Sequence, residues 1–242
     1  MKIAKIYDFL DTLSPFELQE EWDNSGLLIG EKDKEVENVY LSIDIDSNLI
    51  DKIEPNSLLI THHPLIFKGL KKIDFSKYPA NIIEKLIKKD ISVISMHTNY
   101  DKTHLNKYVV KEILGYELII SVNEFFCTFE VDTDFEIFAK NVAKKLKLQN
   151  IKCVKADNFV KIATITTGAG GDLINEVQSD CFLTGDIKYH QALEAKENNI
   201  SLIEIGHFES ERFFPDSLAK ELQNLPVKVI ITNSKNPFTY IL

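Results

Sequence analysis

An α/β fold of two lobes with mixed sheets is predicted by three features of the sequence. Short apolar runs of strand length alternate with amphipathic stretches of helical spacing. Two distant segments repeat one order: a helix, a polar break, an Ile-Ser strand, a histidine and an acid four residues on, ending at His97 and Asp101 in one and at His207 and Glu211 in the other. Three apolar runs stop at histidines, residues 57–61 at His62 and His63, 91–96 at His97, and 201–205 at His207. In open α/β sheets ligands bind outside the carboxyl ends of the strands, so these clusters are expected to share one site in the cleft between the lobes.

Residues 1–13 place Ile3, Ile6, Phe9 and Leu10 on one helical side, while Asp8 and Asp11 interrupt any signal-peptide core. Trp22-Asp23-Asn24-Ser25-Gly26-Leu27 reads as a turn anchored by the only tryptophan. Strands are expected at 40–44 and 57–61, and Pro64 prevents the second from continuing past the histidines. A helix ending near Lys88 leads into the strand at 91–96. The alternation continues through Ile120, and the polar turn at 121–124 is the expected boundary, giving lobes of residues 1–122 and 123–242. The second lobe is expected to contain strands at 125–131, 151–155 and 160–166, a helix at 135–146, a glycine loop at 167–172 and a short helix at 173–177. A strand at 181–184, a helix into Asn198 and the strand at 201–205 follow. Strands at 227–232 and 238–242 end the chain, the last free to return to the first lobe.

Imidazoles and carboxylates together offer mixed N and O donors suited to Zn, Fe, Mn or Ni. Where the chain is helical, H-x-x-x-[DE] spacing puts both groups on one face, about 5 to 6 Å apart at Cβ. A lone histidine beside a strand is ordinarily a hydrogen-bonded core or loop residue. Here four of six histidines lie just past strand ends, and two have an acid four residues on, which makes chance placement the weaker account. The repeated order has a plainer explanation too, since any two βαβ units share a pattern. His190 reads as a supporting residue beside the site, and His104 begins a helix with no such role. Lys68 could meet a substrate phosphate, although an exposed loop lysine is ordinarily only solvated. The loop Thr167-Gly168-Ala169-Gly170-Gly171-Asp172 could cradle a phosphate with its amides, but it lacks both nucleotide fingerprints, so a tight turn is the preferred reading.

A chain of 242 residues can bury one large core or two smaller ones. Its net charge of -9 disfavours binding along a nucleic-acid backbone and leaves small molecules or proteins as partners. No apolar stretch approaches membrane-spanning length. Cys127, Cys153 and Cys181 are widely spaced in apolar runs and form no C-x-x-C, so they read as buried reduced thiols of a cytoplasmic protein.

The windows Trp22–Leu27, Thr61-His62-His63-Pro64 with Phe67-Lys68-Gly69, His97-Thr98-Asn99-Tyr100-Asp101, Thr184-Gly185-Asp186 with His190, and Gly206-His207 with Glu211 resemble the type 2 GTP cyclohydrolase I homologues, also called NGG-interacting-factor-three-like proteins. They span nearly the whole chain in the family's order. The resemblance implies two α/β lobes, a dinuclear metal centre between them and a toroidal homohexamer. It places the metal ligands on His62, His63, Asp101, His207 and Glu211, with His97 beside them as the candidate proton shuttle. Longer members carry a domain inserted in the middle, for which this chain has no room. The chemistry implied is hydrolysis of a nucleotide-like substrate by a metal-bound hydroxide, two divalent ions lowering the pKa of a shared water toward neutrality. The alternative is a non-enzymatic metal-binding ring, a scaffold or regulator. An open coordination position separates the two, because a structural ion is fully ligated by protein.

Overall fold

In the computed structural model of the chain, residues 1–232 and 234–239 are described. They form two compact units, Met1–Tyr100 with Phe214–Leu242, and Asp101–Phe213. In chain order the first unit comprises α1 (Ile3–Leu13), β1 (Gly26–Ile29), β2 (Asn38–Ser42), α2 (Ser47–Lys52), β3 (Leu58–Thr61), α3 (Ala80–Lys88), β4 (Ser92–Ser95) and α4 (Thr98–Tyr100). The second unit opens with two π-helical stretches, Asp101–Leu105 and Val109–Leu114, on either side of α5 (Asn106–Tyr108). It continues through β5 (Ile119–Asn123), β6 (Phe126–Asp134), α6 (Phe135–Leu146), β7 (Lys152–Val154), β8 (Phe159–Thr166), β9 (Cys181–Thr184), α7 (Tyr189–Glu197), β10 (Ser201–Glu204) and α8 (His207–Glu211). The chain then returns to the first unit with α9 (Phe214–Leu222) and β11 (Lys228–Ile231).

The first unit is a five-stranded mixed sheet in the order β1-β4-β3-β2-β11. Its central strands run parallel and in register, Ser42 opposite Thr61 and Thr61 opposite Ser95. β3 and β4 are buried at every position, as strands covered on both faces must be, which is why they read as unbroken apolar runs. α1 buries Ile3, Ile6 and Leu10 along one stripe. α2 starts at Asp46, whose carboxylate accepts from the Leu49 amide at 2.7 Å and so satisfies a free helix N-H. Ile50 and Ile53 pack with Leu59, Ile82 and Leu86 in a core shared by α2, β3 and α3.

The second unit is a six-stranded mixed sheet, β5-β6-β8-β9-β10-β7. Its central strands β8, β9 and β10 are parallel, Thr166 facing Thr184 and Thr184 facing Glu204. α6 buries Phe135, Phe138, Ala139, Val142 and Leu146, the spacing of a single helical face. The two units therefore repeat one arrangement of three parallel strands, β2-β3-β4 and β8-β9-β10.

Two expectations are corrected. Residues 121–123, expected in a polar turn, are the end of β5, with Val122 opposite Cys127, and only Glu124 lies in the β5–β6 hairpin turn; the chain instead divides at Tyr100 and Asp101. β11 rejoins the first unit by pairing parallel with β2, while the strand expected over 238–242 reaches residues 240–242, which lie outside the described residues. Cys127 and Cys181 are buried, but Cys153 is exposed, because β7 is an edge strand. Among the described residues no helix is long and apolar enough to cross a membrane.

Candidate metal centre

In the first unit the parallel register brings the ends of β2, β3 and β4 side by side, so the residues that follow them become neighbours. His62 and His63 follow β3, and His97 follows β4 one residue past Met96. Their ring centroids are 5.0 Å (His62–His63), 5.2 Å (His62–His97) and 5.5 Å (His63–His97) apart. Each ring offers a nitrogen within 4.8 Å of the others, a spacing that could hold a metal ion. His62 is buried and lies against Phe214 at 5.1 Å between centroids.

All three Nδ1 atoms are committed to oxygen acceptors. His62 Nδ1 donates to the Met96 carbonyl at 2.9 Å, His63 Nδ1 to Asp44 Oδ1 at 2.7 Å, and His97 Nδ1 to Asp23 Oδ1 at 2.8 Å. A carbonyl or an ionised carboxylate can only accept, so each Nδ1 carries the proton and the neutral ring presents a lone pair at Nε2. Asp23 is the most heavily engaged of these carboxylates. It also accepts from the Asn24 amide at 2.7 Å, the Ser25 hydroxyl at 3.2 Å, and the Thr98 amide and hydroxyl at 3.1 and 2.5 Å. Burial opposes its charge, but the hydrogen bond from His97 and the charge that this ring carries when protonated, with the hydrogen bonds from Thr98 and Asn24, outweigh it and hold Asp23 far below the ordinary carboxylate range.

The second unit builds its part the same way. His207 begins α8 and Glu211 ends it, and the expected i,i+4 face is present, with His207 Nε2 3.1 Å from Glu211 Oε2. His207 Nδ1 donates to Asp186 Oδ2 at 2.7 Å. With that proton committed, Nε2 and the carboxylate meet lone pair to lone pair unless a proton or a cation lies between them. A divalent ion suits this pair, and the donor set is one that Zn, Fe, Mn or Ni accepts. Glu211 is buried, and so is Asp101 in the first turn of the unit.

The glycine loop after β8 has a packing role. Gly168 has φ +65°, and a Cβ there would lie 2.0 Å from Glu211 Oε1, while a Cβ at Gly185 would lie 2.8 Å from His207 Cα. Only glycine lets these two turns approach α8 so closely. His190 is exposed, its ring edge-on to Tyr189, and Asp186 rather than His190 supports His207. His104 bonds to the Thr103 hydroxyl at 2.8 Å.

Sequence reasoning missed the supporting carboxylates Asp23, Asp44 and Asp186. Two of them carried a signal: Asp44 lies two residues past β2 and Asp186 two residues past β9, each on the strand next to the one that delivers its histidine.

The profile of the Duf34/NIF3 (NGG1p interacting factor 3) family matches residues 1–237. A Campylobacter jejuni protein named GTP cyclohydrolase 1 type 2 homolog is 56% identical over 243 residues, covering 99% of this chain and all of that one. A Helicobacter pylori protein named GTP cyclohydrolase 1 type 2 is 38% identical over 240 residues, covering 99% of each. Among solved structures, a Staphylococcus aureus hypothetical protein superposes with a TM-score of 0.88 at 28% identity, over 100% of this chain and 99% of that one. With the family profile matched along almost its whole length, the chain belongs to the Duf34/NIF3 family.

Proposed function

We propose that the protein is a metal-dependent hydrolase of a nucleotide-like substrate. In this reading His62, His63, Asp101, His207 and Glu211 hold two divalent ions, Zn, Fe, Mn or Ni, and His97 moves the proton. The observation that carries it is the shared preparation of the histidines: His62, His63, His97 and His207 each have Nδ1 engaged by an oxygen acceptor, which commits Nε2 to a cation or a proton. Such partners fix the tautomer and the ring orientation of metal-bound histidines. The names of the Campylobacter and Helicobacter relatives support a GTP cyclohydrolase-like role.

Bound divalent ions would supply Lewis acidity and a water acidic enough to ionise near neutral pH. The chain's own contribution centres on His97. Opening a purine's imidazole ring requires water to add at the carbon between its two nitrogens, after which one C-N bond breaks and that nitrogen takes up a proton. His97 Nε2 can accept the proton released by the water and return it to the leaving nitrogen, while Asp23 holds the ring and stabilises its charged form. The buried Phe214 ring beside His62 keeps bulk water off that side of the cluster.

The ring assembly and the cytoplasmic location belong to the same proposal. Ile120 and Val122 are exposed along β5, an edge strand, as is Leu118 just before it, and an apolar edge of this kind favours self-association. All three cysteines are free, as expected in a reducing compartment.

Elemental analysis of the purified chain with a nucleotide-hydrolysis screen tests the reading. About two ions per subunit are expected, lost together with turnover in His63→Ala and Glu211→Ala. His97→Ala is expected to keep the ions and lose on the order of 10² to 10⁴ in rate. Apo-protein that turns over nucleotide as fast as the loaded form overturns the reading. Loaded protein that hydrolyses nothing while binding a protein partner replaces it with the scaffold.

A further inference from the structure

The motif Trp22-Asp23-Asn24-Ser25-Gly26 does more than turn the chain. Asp23 holds His97, and the Asn24 side-chain amide donates to the Ile66 carbonyl, tying this loop to the one that follows His62 and His63. Gln19 fastens the motif from behind, its amide oxygen accepting from the Ser25 amide at 2.7 Å. The result is that Trp22 and Phe67, one residue from Asp23 and Ile66 respectively, are brought together at 5.8 Å between ring centroids. They are tilted by 47°, so they form an open wedge and not a closed stack. His97 lies edge-on to both, at 6.1 Å from the indole and 6.3 Å from the phenyl ring.

Both rings face solvent, Trp22 at 57% exposure and Phe67 at 39%. Two aromatic faces held open to water by a hydrogen-bonded scaffold, next to a histidine cluster, contribute little to the core. They are suited to a planar ligand, because aromatic surfaces bind bases through their π-faces. The charge around them indicates which planar ligand. In a chain of net charge -9, Lys68, Lys71 and Lys72 follow Phe67 within five residues, and all three are exposed. Cations that closely follow one ring of the wedge in the chain fit a base that carries phosphate.

We infer that Trp22 and Phe67 form the base-binding wedge for a purine nucleotide, whose phosphates are drawn by Lys68, Lys71 and Lys72 and whose base lies beside His97. The assignment deepens the hydrolase reading and rests on it for the nature of the substrate. It also gives a reason for the indole to be exposed: burying it against a base recovers apolar contact at little conformational cost, because the scaffold already holds both rings in place.

Trp22 is the only tryptophan, so its emission reports on this wedge alone. The full chain is titrated with GTP, GMP and inorganic triphosphate, with metals present and after chelation. GTP and GMP are expected to quench Trp22 emission in both states, GTP at lower concentration, and triphosphate is expected to displace GTP without quenching by itself. Phe67→Ala keeps the probe and should raise the half-quenching concentration by about 10- to 100-fold, the range of losing one base–aromatic contact. Phe67→Tyr should restore it, and an unchanged melting temperature in both variants excludes unfolding.

The outcomes separate this inference from the hydrolase reading. Turnover with an unchanged KM in Phe67→Ala, and no quenching, overturns the wedge and leaves the hydrolase standing. Quenching that follows Phe67 without turnover of any nucleotide leaves the wedge and removes the hydrolase. Emission that shifts with protein concentration but not with nucleotide assigns the exposed rings to a second copy of the chain and overturns the wedge.

Discussion

Replacing Asp23 by Asn removes one charge and changes almost no volume, which makes it a sharp probe of the first unit. The carboxylate side chain has no exposed surface, and it accepts from His97, Thr98, Ser25 and Asn24. An amide has one acceptor oxygen, and its NH2 must then face either His97 Nδ1 or the donors of Thr98 and Ser25. Facing Thr98 or Ser25 leaves buried donors opposed, at about 1–3 kcal/mol. Facing His97 turns Nδ1 into the acceptor and moves the ring proton to Nε2, the atom required for proton transfer. Adding the lost charge-assisted bond gives a stability loss of roughly 3 kcal/mol. For a chain of this size that corresponds to about 6–12 °C in melting temperature.

The pH dependence gives a second readout. The folded-state pKa of Asp23 is depressed, so the unfolded chain takes up the proton first and stability falls as the pH drops. The advantage of the natural chain over Asp23→Asn should be constant above about pH 5 and shrink as the pH falls below the ordinary carboxylate value near 4. Urea unfolding between pH 7 and pH 3, with nitrogen NMR of the His97 ring, measures both effects. Equal melting temperatures would refute the reasoning, and the position of the ring proton shows which way the amide faces: on Nδ1 when its oxygen meets His97, on Nε2 when its NH2 does.

Gly168→Ala places a methyl group 2.0 Å from Glu211 Oε1 in a backbone of φ +65°. It should cost about 1–2 kcal/mol from the left-handed backbone and, by displacing Glu211, lower metal content. Full occupancy by elemental analysis would count against Glu211 as a ligand. His104→Ala should leave metal content unchanged. A thiol reagent at pH 8 should modify Cys153 alone in the native chain and all three cysteines after denaturation, since Cys153 is exposed, whereas burial pushes the Cys127 thiol up to about 11 and the Cys181 thiol well above its ordinary value. Light scattering at micromolar concentration should give a homohexamer, and a strict monomer would reject the assembly.

The parts of the fold that were legible in the sequence are those where burial leaves an unbroken apolar run. β3, β4, β9 and β10 are covered on both faces, so Leu58–Thr61, Ser92–Ser95, Cys181–Thr184 and Ser201–Glu204 announce themselves, and the histidines past three of these ends stand out against them. The division into units was not legible. It falls inside a helical stretch at Tyr100 and Asp101, where no change of composition accompanies it, whereas residues 121–124 resemble a linker because an exposed edge strand running into a hairpin turn is polar for the same reason. Cys153 was misread because a strand of three residues at a sheet edge carries too short a pattern to reveal which face is wet.

The supporting carboxylates show a different limit. An aspartate just past a strand is a common turn or cap residue, and nothing local distinguishes Asp44 or Asp186 from Asp46, which does cap a helix. Their role depends on register. Because β2 and β3 are parallel and aligned, as are β9 and β10, an acid following one strand meets a histidine following the next. Once the strand order is known, Asp44 can be assigned to His63 and Asp186 to His207 by the same rule. Asp23 falls outside that parallel rule, since it reaches His97 across 74 residues from the turn just before β1, whose antiparallel register with β4 sets Gly26 opposite Ser95. Only the packing of that turn against the end of β4 turns a turn-forming sequence into the group that sets the protonation of a candidate catalytic histidine.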